Sequence, residues 1–162
     1  MKKVVITGGV GSGKSKVIEY LKDNCNCKVV RADDVAKELM APGARCYYDI
    51  IEAFPDDELV RGDSTINNRQ GYPPFDTDKL SALIFANDSN RSKVNSIVHP
   101  AVKEYVLKDT IHEEERGVYD YYFFEVALAI EDGYDKLFDE TWFIYAPRFI
   151  RKSIYIIFMC KC

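Results

Sequence analysis

The chain has 162 residues, with 22 Lys and Arg against 26 Asp and Glu, a formal net charge of −4, 47% hydrophobic and 30% charged residues. That size and near-average apolar content describe one ordinary globular domain whose core needs neither disulfide nor metal, and they exclude disorder and collagen-like repeats. The acidic balance excludes a general nucleic-acid binder, so an anionic ligand has to be held locally, and no apolar run reaches the ~18 residues that cross a bilayer.

Met1-Lys2-Lys3 leads into only four apolar or small residues before two glycines, which is not a signal peptide. Lys3 to Thr7 is a β-branched run stopped by Gly8-Gly9 and reads as a buried strand. From Ser15 to Asp23, Val17, Ile18 and Leu21 recur at helical spacing among Lys16, Glu19, Lys22 and Asp23. Lys28-Val29-Val30 makes a second strand that ends at Arg31-Ala32-Asp33-Asp34, and Val35 to Met40 returns to a helical pattern closed by Pro42-Gly43. Four helical segments follow: Tyr47 to Phe54, Asp78 to Ala86 with Asp76 as N-cap, Ser92 to Val98 with Ser89 as N-cap, and Pro100 to Ile111 with Pro100 at the first helical position. Residues 55 to 75, punctuated by Pro55, Gly62, Gly71, Pro73 and Pro74, read as one long surface loop. Val118 to Phe124, closing on Glu125, is a third strand, and Glu140 to Tyr145, stopped by Ala146-Pro147, is a fourth. Strands separated by helical stretches imply a parallel sheet covered on both faces, so the fold class is α/β.

The cysteines at 25, 27, 46, 160 and 162 form two Cys-x-Cys pairs and no Cys-x-x-Cys, an odd count at spacings unlike those of zinc sites. They read as free thiols of a reducing cytoplasm. His99 and His112 stand thirteen positions apart without a neighbouring ligand pattern, so no His/Cys metal cluster is expected.

The chemistry is concentrated in Gly8-Gly9-Val10-Gly11-Ser12-Gly13-Lys14-Ser15, a full match to G-x-x-x-x-G-K-[ST] between a strand and a helix. Glycines let the backbone wrap phosphates closely, and successive N–H groups and the positive end of the helix dipole then face the anion. Gly9, Val10, Gly11, Ser12, Gly13, Lys14, Ser15 and Lys16 are the expected nucleotide-binding residues, with Lys14 on the β/γ-phosphates and the Ser15 hydroxyl on Mg²⁺. In the empty loop Lys14 is expected to face solvent. A chance match in a chain of this length is on the order of a per cent or less. A dinucleotide-binding turn fails because Lys14 stands where a third glycine is needed, and the chain has no Asn-Lys-x-Asp or Asp-x-x-Gly of a switch GTPase. What remains is ATP-dependent phosphate transfer to a small acceptor, in which a base orients the attacking oxygen. Ligands of open α/β sheets bind beyond the carboxyl ends of the strands, which makes Asp33, just past the second strand, the leading base; its bland reading is an N-cap for the next helix.

Thr7 to Ser15, Ala32-Asp33-Asp34-Val35-Ala36-Lys37-Glu38-Leu39 with Pro42-Gly43, Ile84-Phe85-Ala86-Asn87-Asp88, and Asn95-Ser96-Ile97-Val98-His99-Pro100 together resemble the dephospho-coenzyme A kinase family across nearly all of residues 3 to 148. The resemblance implies a three-layer phosphate-loop kinase fold with a parallel sheet, a helical coenzyme-binding region at about 40 to 115 between strands two and three, and a C-terminal lid. It implies ATP and Mg²⁺ as cofactors and dephospho-coenzyme A as acceptor, with Asp33 taking the proton of the ribose 3′-hydroxyl. Glu125 would hold the Mg²⁺ shell through water, or stand as a strand-end carboxylate in solvent. His99, Lys103 and Phe85 would belong to the acceptor site, although helix positions alone can account for them. Arg31 departs from the pattern, which has an aspartate there, and Ala127-Leu128-Ala129 replaces the usual Pro-Leu-Leu, with Glu131 retained. Residues 63 to 75 read as a surface insertion.

Two other functions share these features: a kinase for another acceptor, such as a nucleoside monophosphate or a sugar acid, and a nucleotide-binding domain without catalysis. The resemblance fades after Ala146-Pro147, where a lid helix with arginines and a last strand would follow; here Arg148, Arg151 and Lys152 precede the apolar run Ser153 to Cys160. The expectation is therefore a weak or inactive kinase lacking the lid and last strand, with strand four as an unprotected sheet edge and Ile154 to Met159 inviting self-association. No nucleic-acid or membrane partner is expected.

Overall fold

The computed structural model describes residues 1–55, 59 and 73–146 and the backbone of 157–160. It divides into two compact units, Met1–Asp33 together with Lys108–Cys162, and Asp34–Leu107.

The first unit is built on a sheet whose described strands run in the order β2-β3-β1-β4-β5: β1 (Lys2–Thr7), β2 (Cys27–Arg31), β3 (Tyr121–Glu125), β4 (Glu140–Tyr145) and β5 (Ile157–Cys160). The first four are parallel, with β1 between β3 and β4, as strands joined by crossovers require. β5 runs antiparallel along β4, Trp142 opposite Cys160 and Tyr145 opposite Ile157. This corrects the expectation of an unpaired edge at the fourth strand: the backbone of residues 157–160 occupies its ladder. Arg148, Arg151, Lys152 and Ile154 to Ile156 lie outside the described residues.

β1 is central because both its faces are apolar. Val4 and Ile6 pack on one side with Val17, Ile18 and Leu21 of α1 (Lys14–Asn24), Phe123 and Ile144. On the other side Val5, Tyr122 and Phe124 are fully buried, and Phe124 meets the rings of Tyr134 at 5.0 Å and Phe138 at 5.8 Å. A fully buried side chain of this kind contributes about 1.5–3 kcal/mol. Burial, and then the neighbouring Asp132, pushes the Tyr134 phenol up to about 12. The third strand starts three residues later than its run of β-formers suggests. Asn26 takes that stretch into a turn: its carbonyl accepts from the Asp120 and Tyr121 N–H groups and its side-chain amide donates to the Val118 carbonyl. No α-helix connects β3 to β4; turns and a single 3₁₀ turn at Tyr134–Lys136 do.

A polar network fastens the last turns of α5 (Asp88–Arg116) to the sheet. Lys28 Nζ donates to Asp109 and Glu113, each at 2.8 Å, the Tyr122 hydroxyl donates to Asp109 at 2.7 Å, and Arg116 donates to both Glu113 oxygens at 3.1 Å. Glu113 is 3% exposed, so a carboxylate there has to be compensated, and these donors compensate it.

The second unit comprises Asp34–Leu39 of α2 (Ala32–Leu39), α3 (Arg45–Ala53), α4 (Thr77–Ala86) and the first five turns of α5, around Cys46, Tyr47, Ile50, Leu83, Val98 and Val102. Asp76 caps α4 as expected, accepting from the N–H groups of Asp78 and Lys79. The two segments expected at Ser92 to Val98 and Pro100 to Ile111 are one helix of 29 residues with Pro100 inside it. Asn87, not Ser89, begins it: its side-chain oxygen accepts from Asn90 N–H at 2.7 Å. Proline removes one intrahelical donor, yet Val98, Ala101, Val102 and Val106 bury a continuous stripe on either side of it, and packing of that face outweighs the local cost of about 3 kcal/mol.

Two measurements test this architecture. A Cβ on Gly8 would fall 2.2 Å from the Ile144 carbonyl oxygen, at a φ of +149°, so Gly8→Ala should force β1 and β4 apart and cost at least about 1–3 kcal/mol, read as a lowered denaturant midpoint. The hydrogen bond from Lys28, followed by the charges of Lys28 and Arg116, holds Glu113 below the usual carboxylate range. A carboxyl depressed in the fold contributes stability that is complete above about pH 4.3 and lost as pH falls through its folded value. Unfolding midpoints of wild type and Glu113→Gln should therefore differ at neutral pH and converge in acid; a constant gap would reject the network's role.

Candidate active site

β1 delivers the chain into Gly8 to Gly13, and α1 starts at Lys14. Gly13 stands at the N-cap of α1 with φ 94° and ψ 12°, a left-handed conformation that glycine adopts without strain, and no side chain caps the first turn. That turn also lacks an acidic residue, so its N–H groups and dipole are left to an external anion. The loop is preformed by Ser12 N–H donating to the Gly9 carbonyl at 3.1 Å. Thr7 Oγ1 donates to the Ala127 carbonyl at 2.8 Å, and Val126 N–H to the Ile6 carbonyl at 3.0 Å, tying the loop's base to the segment after β3.

Lys14 is half-buried and turned onto the loop, where an ammonium reaching out into solvent was expected. Its Nζ donates to the Gly8 carbonyl at 2.6 Å and the Gly9 carbonyl at 3.2 Å, because an ammonium beside a row of carbonyls finds acceptors there when no phosphate is present. Ser12 is 7% exposed and its Oγ, buried, has no hydrogen-bond partner. An orphaned buried hydroxyl costs about 1–3 kcal/mol, which a ligand oxygen placed against it would recover. Beside Gly9 and Gly11 a Cβ would meet nothing within 4 Å, so the outer side of the loop is open. These features fit a polyphosphate. Val10 at the tip, Ser15 and Lys16 are exposed.

The carboxyl ends of the neighbouring strands bring two more groups to the same edge. In the parallel register Ile6 lies beside Glu125 and Glu125 beside Arg31. Arg31 Nε donates to Glu125 Oε2 at 2.8 Å, and the Glu125 side chain is only 13% exposed. Glu125 is thus neither a strand-end carboxylate in solvent nor an unengaged one; it is half of an ion pair. Sequence reasoning left open whether Arg31 assists a phosphate or disturbs an acidic pocket, because the pairing depends on register, and the only signal was the acid-to-base departure itself. Asp33 follows directly, exposed, as the second residue of α2, since β2 passes into the helix without a loop. It is therefore not the N-cap that the helical pattern from Val35 suggested. Asp34 pairs at 3.8 Å with Lys37.

For Mg²⁺ the chain presents hard oxygen donors in small number, the exposed Ser15 hydroxyl and the Glu125 carboxylate, and no cluster of three or more His, Cys, Asp or Glu among the described residues could hold an ion alone. That donor set fits an ion that keeps its waters and arrives with phosphates. The loop, Arg31, Asp33 and Glu125 belong to the first unit; Phe85, His99 and Lys103 belong to the second. There Phe85 is 80% exposed near the end of α4, and half-buried His99 and Lys103 share one face of α5 at i, i+4 spacing.

Comparison with known proteins bears on the fold and on the family. Two solved structures share the fold: the dephospho-CoA kinase from Campylobacter jejuni, with TM-score 0.67 and 20% identity over 96% of this chain and 75% of that one, and TT1252 from Thermus thermophilus, with TM-score 0.68 and 24% identity over 93% and 68%. The phosphate-loop kinase fold accounts for both the sheet and the loop. Curated relatives include the dephospho-CoA kinase of Oceanobacillus iheyensis, 33% identical over 149 residues, 90% of this chain and 67% of that protein. The one of Shouchella clausii is 30% identical over 143 residues, 88% and 66%. The chain spans about two thirds of the length of the curated relatives it matches. The family model described as CoaE, dephospho-CoA kinase, matches residues 3–152, and on this evidence the chain belongs to the dephospho-CoA kinase family.

Proposed function

We propose that this protein transfers the γ-phosphate of ATP to the ribose 3′-hydroxyl of dephospho-coenzyme A, giving coenzyme A and ADP. The observation that carries the reading is the preformed Gly8 to Ser15 loop, with its orphaned Ser12 hydroxyl and its lysine resting on loop carbonyls, in a chain of this family.

In this mechanism the open N–H groups of the loop and of the first turn of α1 take the phosphates, and Lys14 exchanges the Gly8 and Gly9 carbonyls for β/γ-oxygens. The Ser15 hydroxyl, with Glu125 acting through water, would hold Mg²⁺, which when bound would supply charge compensation to the phosphates. Asp33 receives the proton of the acceptor hydroxyl while that oxygen bonds to the γ-phosphorus; the bond from phosphorus to the β,γ-bridging oxygen breaks and ADP leaves with its electron pair. Phe85, His99 and Lys103 serve the acceptor. The place of work is the cytoplasm, where thiols such as Cys25, Cys27 and Cys46 stay reduced.

The deciding experiment measures ADP release with dephospho-coenzyme A, AMP and gluconate in parallel. Release with the first alone is expected; turnover of AMP or gluconate instead would transfer the reading to another acceptor. Two variants then separate binding from chemistry. Lys14→Ala should weaken ATP binding about 10- to 100-fold, the equivalent of one charge-assisted contact, and Asp33→Asn should leave it intact while slowing transfer roughly 10²–10⁴-fold. Unchanged ATP affinity in the first, or wild-type turnover in the second, removes that residue from its role.

A further inference from the structure

We propose that Arg31 sets the metal dependence of the nucleotide site: by pairing with Glu125 it presents the incoming triphosphate with a charge-neutral pair in place of a lone carboxylate, so that this chain binds ATP with little help from a divalent ion. The inference rests on the reading of Gly8 to Ser15 as the ATP site and deepens it.

Glu125 is the register partner of Ile6, two residues before the loop begins, and adjacent parallel strands lie only about 4.7–4.9 Å apart. A carboxylate in that place, with its side chain 13% exposed, is poorly screened by water and repels the phosphates that the loop attracts. A divalent ion is one way to relieve this repulsion. Arg31, on the next strand in the same row, is another, already built into the chain and joined to Glu125 at 2.8 Å. The guanidinium cannot lose its proton and is fixed at a strand end, so its compensation is present before any ion binds. The two cations compete for one carboxylate: while Arg31 holds Oε2, an outer contact from Glu125 to metal-bound water contributes less. Removing Arg31 should therefore have unequal consequences with and without the ion, because it exposes the repulsion in the absence of Mg²⁺, whereas in its presence the freed Glu125 assists and offsets most of the loss.

The test measures ATP dissociation constants for the full chain in EDTA and in saturating Mg²⁺. In wild type the two constants should differ little. Arg31→Ala should weaken ATP binding about tenfold or more in EDTA and much less in Mg²⁺, widening the ratio, with a melting temperature close to wild type. Arg31→Lys keeps the charge and should restore most of the EDTA affinity. Glu125→Gln releases the Arg31 guanidinium from its carboxylate, leaves a net positive charge at the strand ends and should tighten binding in EDTA. Equal weakening of Arg31→Ala in both conditions, no rescue by lysine, or unchanged affinity in EDTA for Arg31→Ala or Glu125→Gln would overturn the proposal. Failure of wild type to bind ATP in either condition would overturn the nucleotide reading and this inference with it. ATP binding with the expected ratios but no transfer to dephospho-coenzyme A would leave this inference standing and reject only the acceptor.

Discussion

The turn out of β1 passes so close to β4 that Gly8 has no room for a side chain: the Ile144 carbonyl oxygen occupies the place where a Cβ would be. Everything chemical in the first unit follows from that approach. It pins the start of the phosphate loop to the sheet's core, on one side through Ile144 and on the other through the bonds that Thr7 donates to the Ala127 carbonyl and that the Ile6 carbonyl accepts from Val126 N–H. A loop anchored on both flanks pays little ordering entropy when a ligand enters, and the N–H groups of α1's first turn are already without a competing side-chain cap.

Charge explains why this anchoring has to be so local. The chain is acidic overall, so no long-range field steers an anion to it. The attraction comes from oriented backbone, from Lys14 and from the way the two nearby carboxylates are managed. Lys14 leans on the carbonyls of Gly8 and Gly9, which costs the loop nothing and leaves the ammonium within the ring of groups it would exchange for phosphate. Glu125 is neutralised by Arg31 at the end of the adjoining strand.

Much of this could be read from residue order. The four parallel strands, the loop, and the Asp76 cap follow from β-branched runs, glycines and a short acceptor side chain, all signals confined to a few neighbours. Three features could not be read that way. Pro100 suggested a helix start because proline fits best at a first turn; the buried stripe Val98, Ala101, Val102 and Val106 carries the helix through it, and that stripe is evident only once its partners are known. Asn26 shortens the third strand by bonding across 92 residues to Val118. The Arg31 to Glu125 pair spans 94 positions and exists because β2 and β3 run parallel in one particular register. Local chemistry is written in the sequence, whereas pairings between strands are decided by topology.

That pairing also gives the two carboxylates at this edge different environments. Glu125 is largely buried, aligned with the row that leads to the loop and committed to a guanidinium. Asp33 is exposed in the first turn of α2, two residues beyond the strand that carries Arg31, with the positive end of that helix behind it. A group that must take a proton from a substrate hydroxyl has to be reachable by that hydroxyl, and an acid already committed to an arginine would have to surrender its partner first. Accessibility and commitment thus separate the pair in the direction the proposed mechanism needs, the exposed carboxylate for the acceptor and the engaged one for the charge of the phosphates. Exchanging the roles would require Glu125 to leave Arg31 and the phosphates to accept an uncompensated anion beside β1.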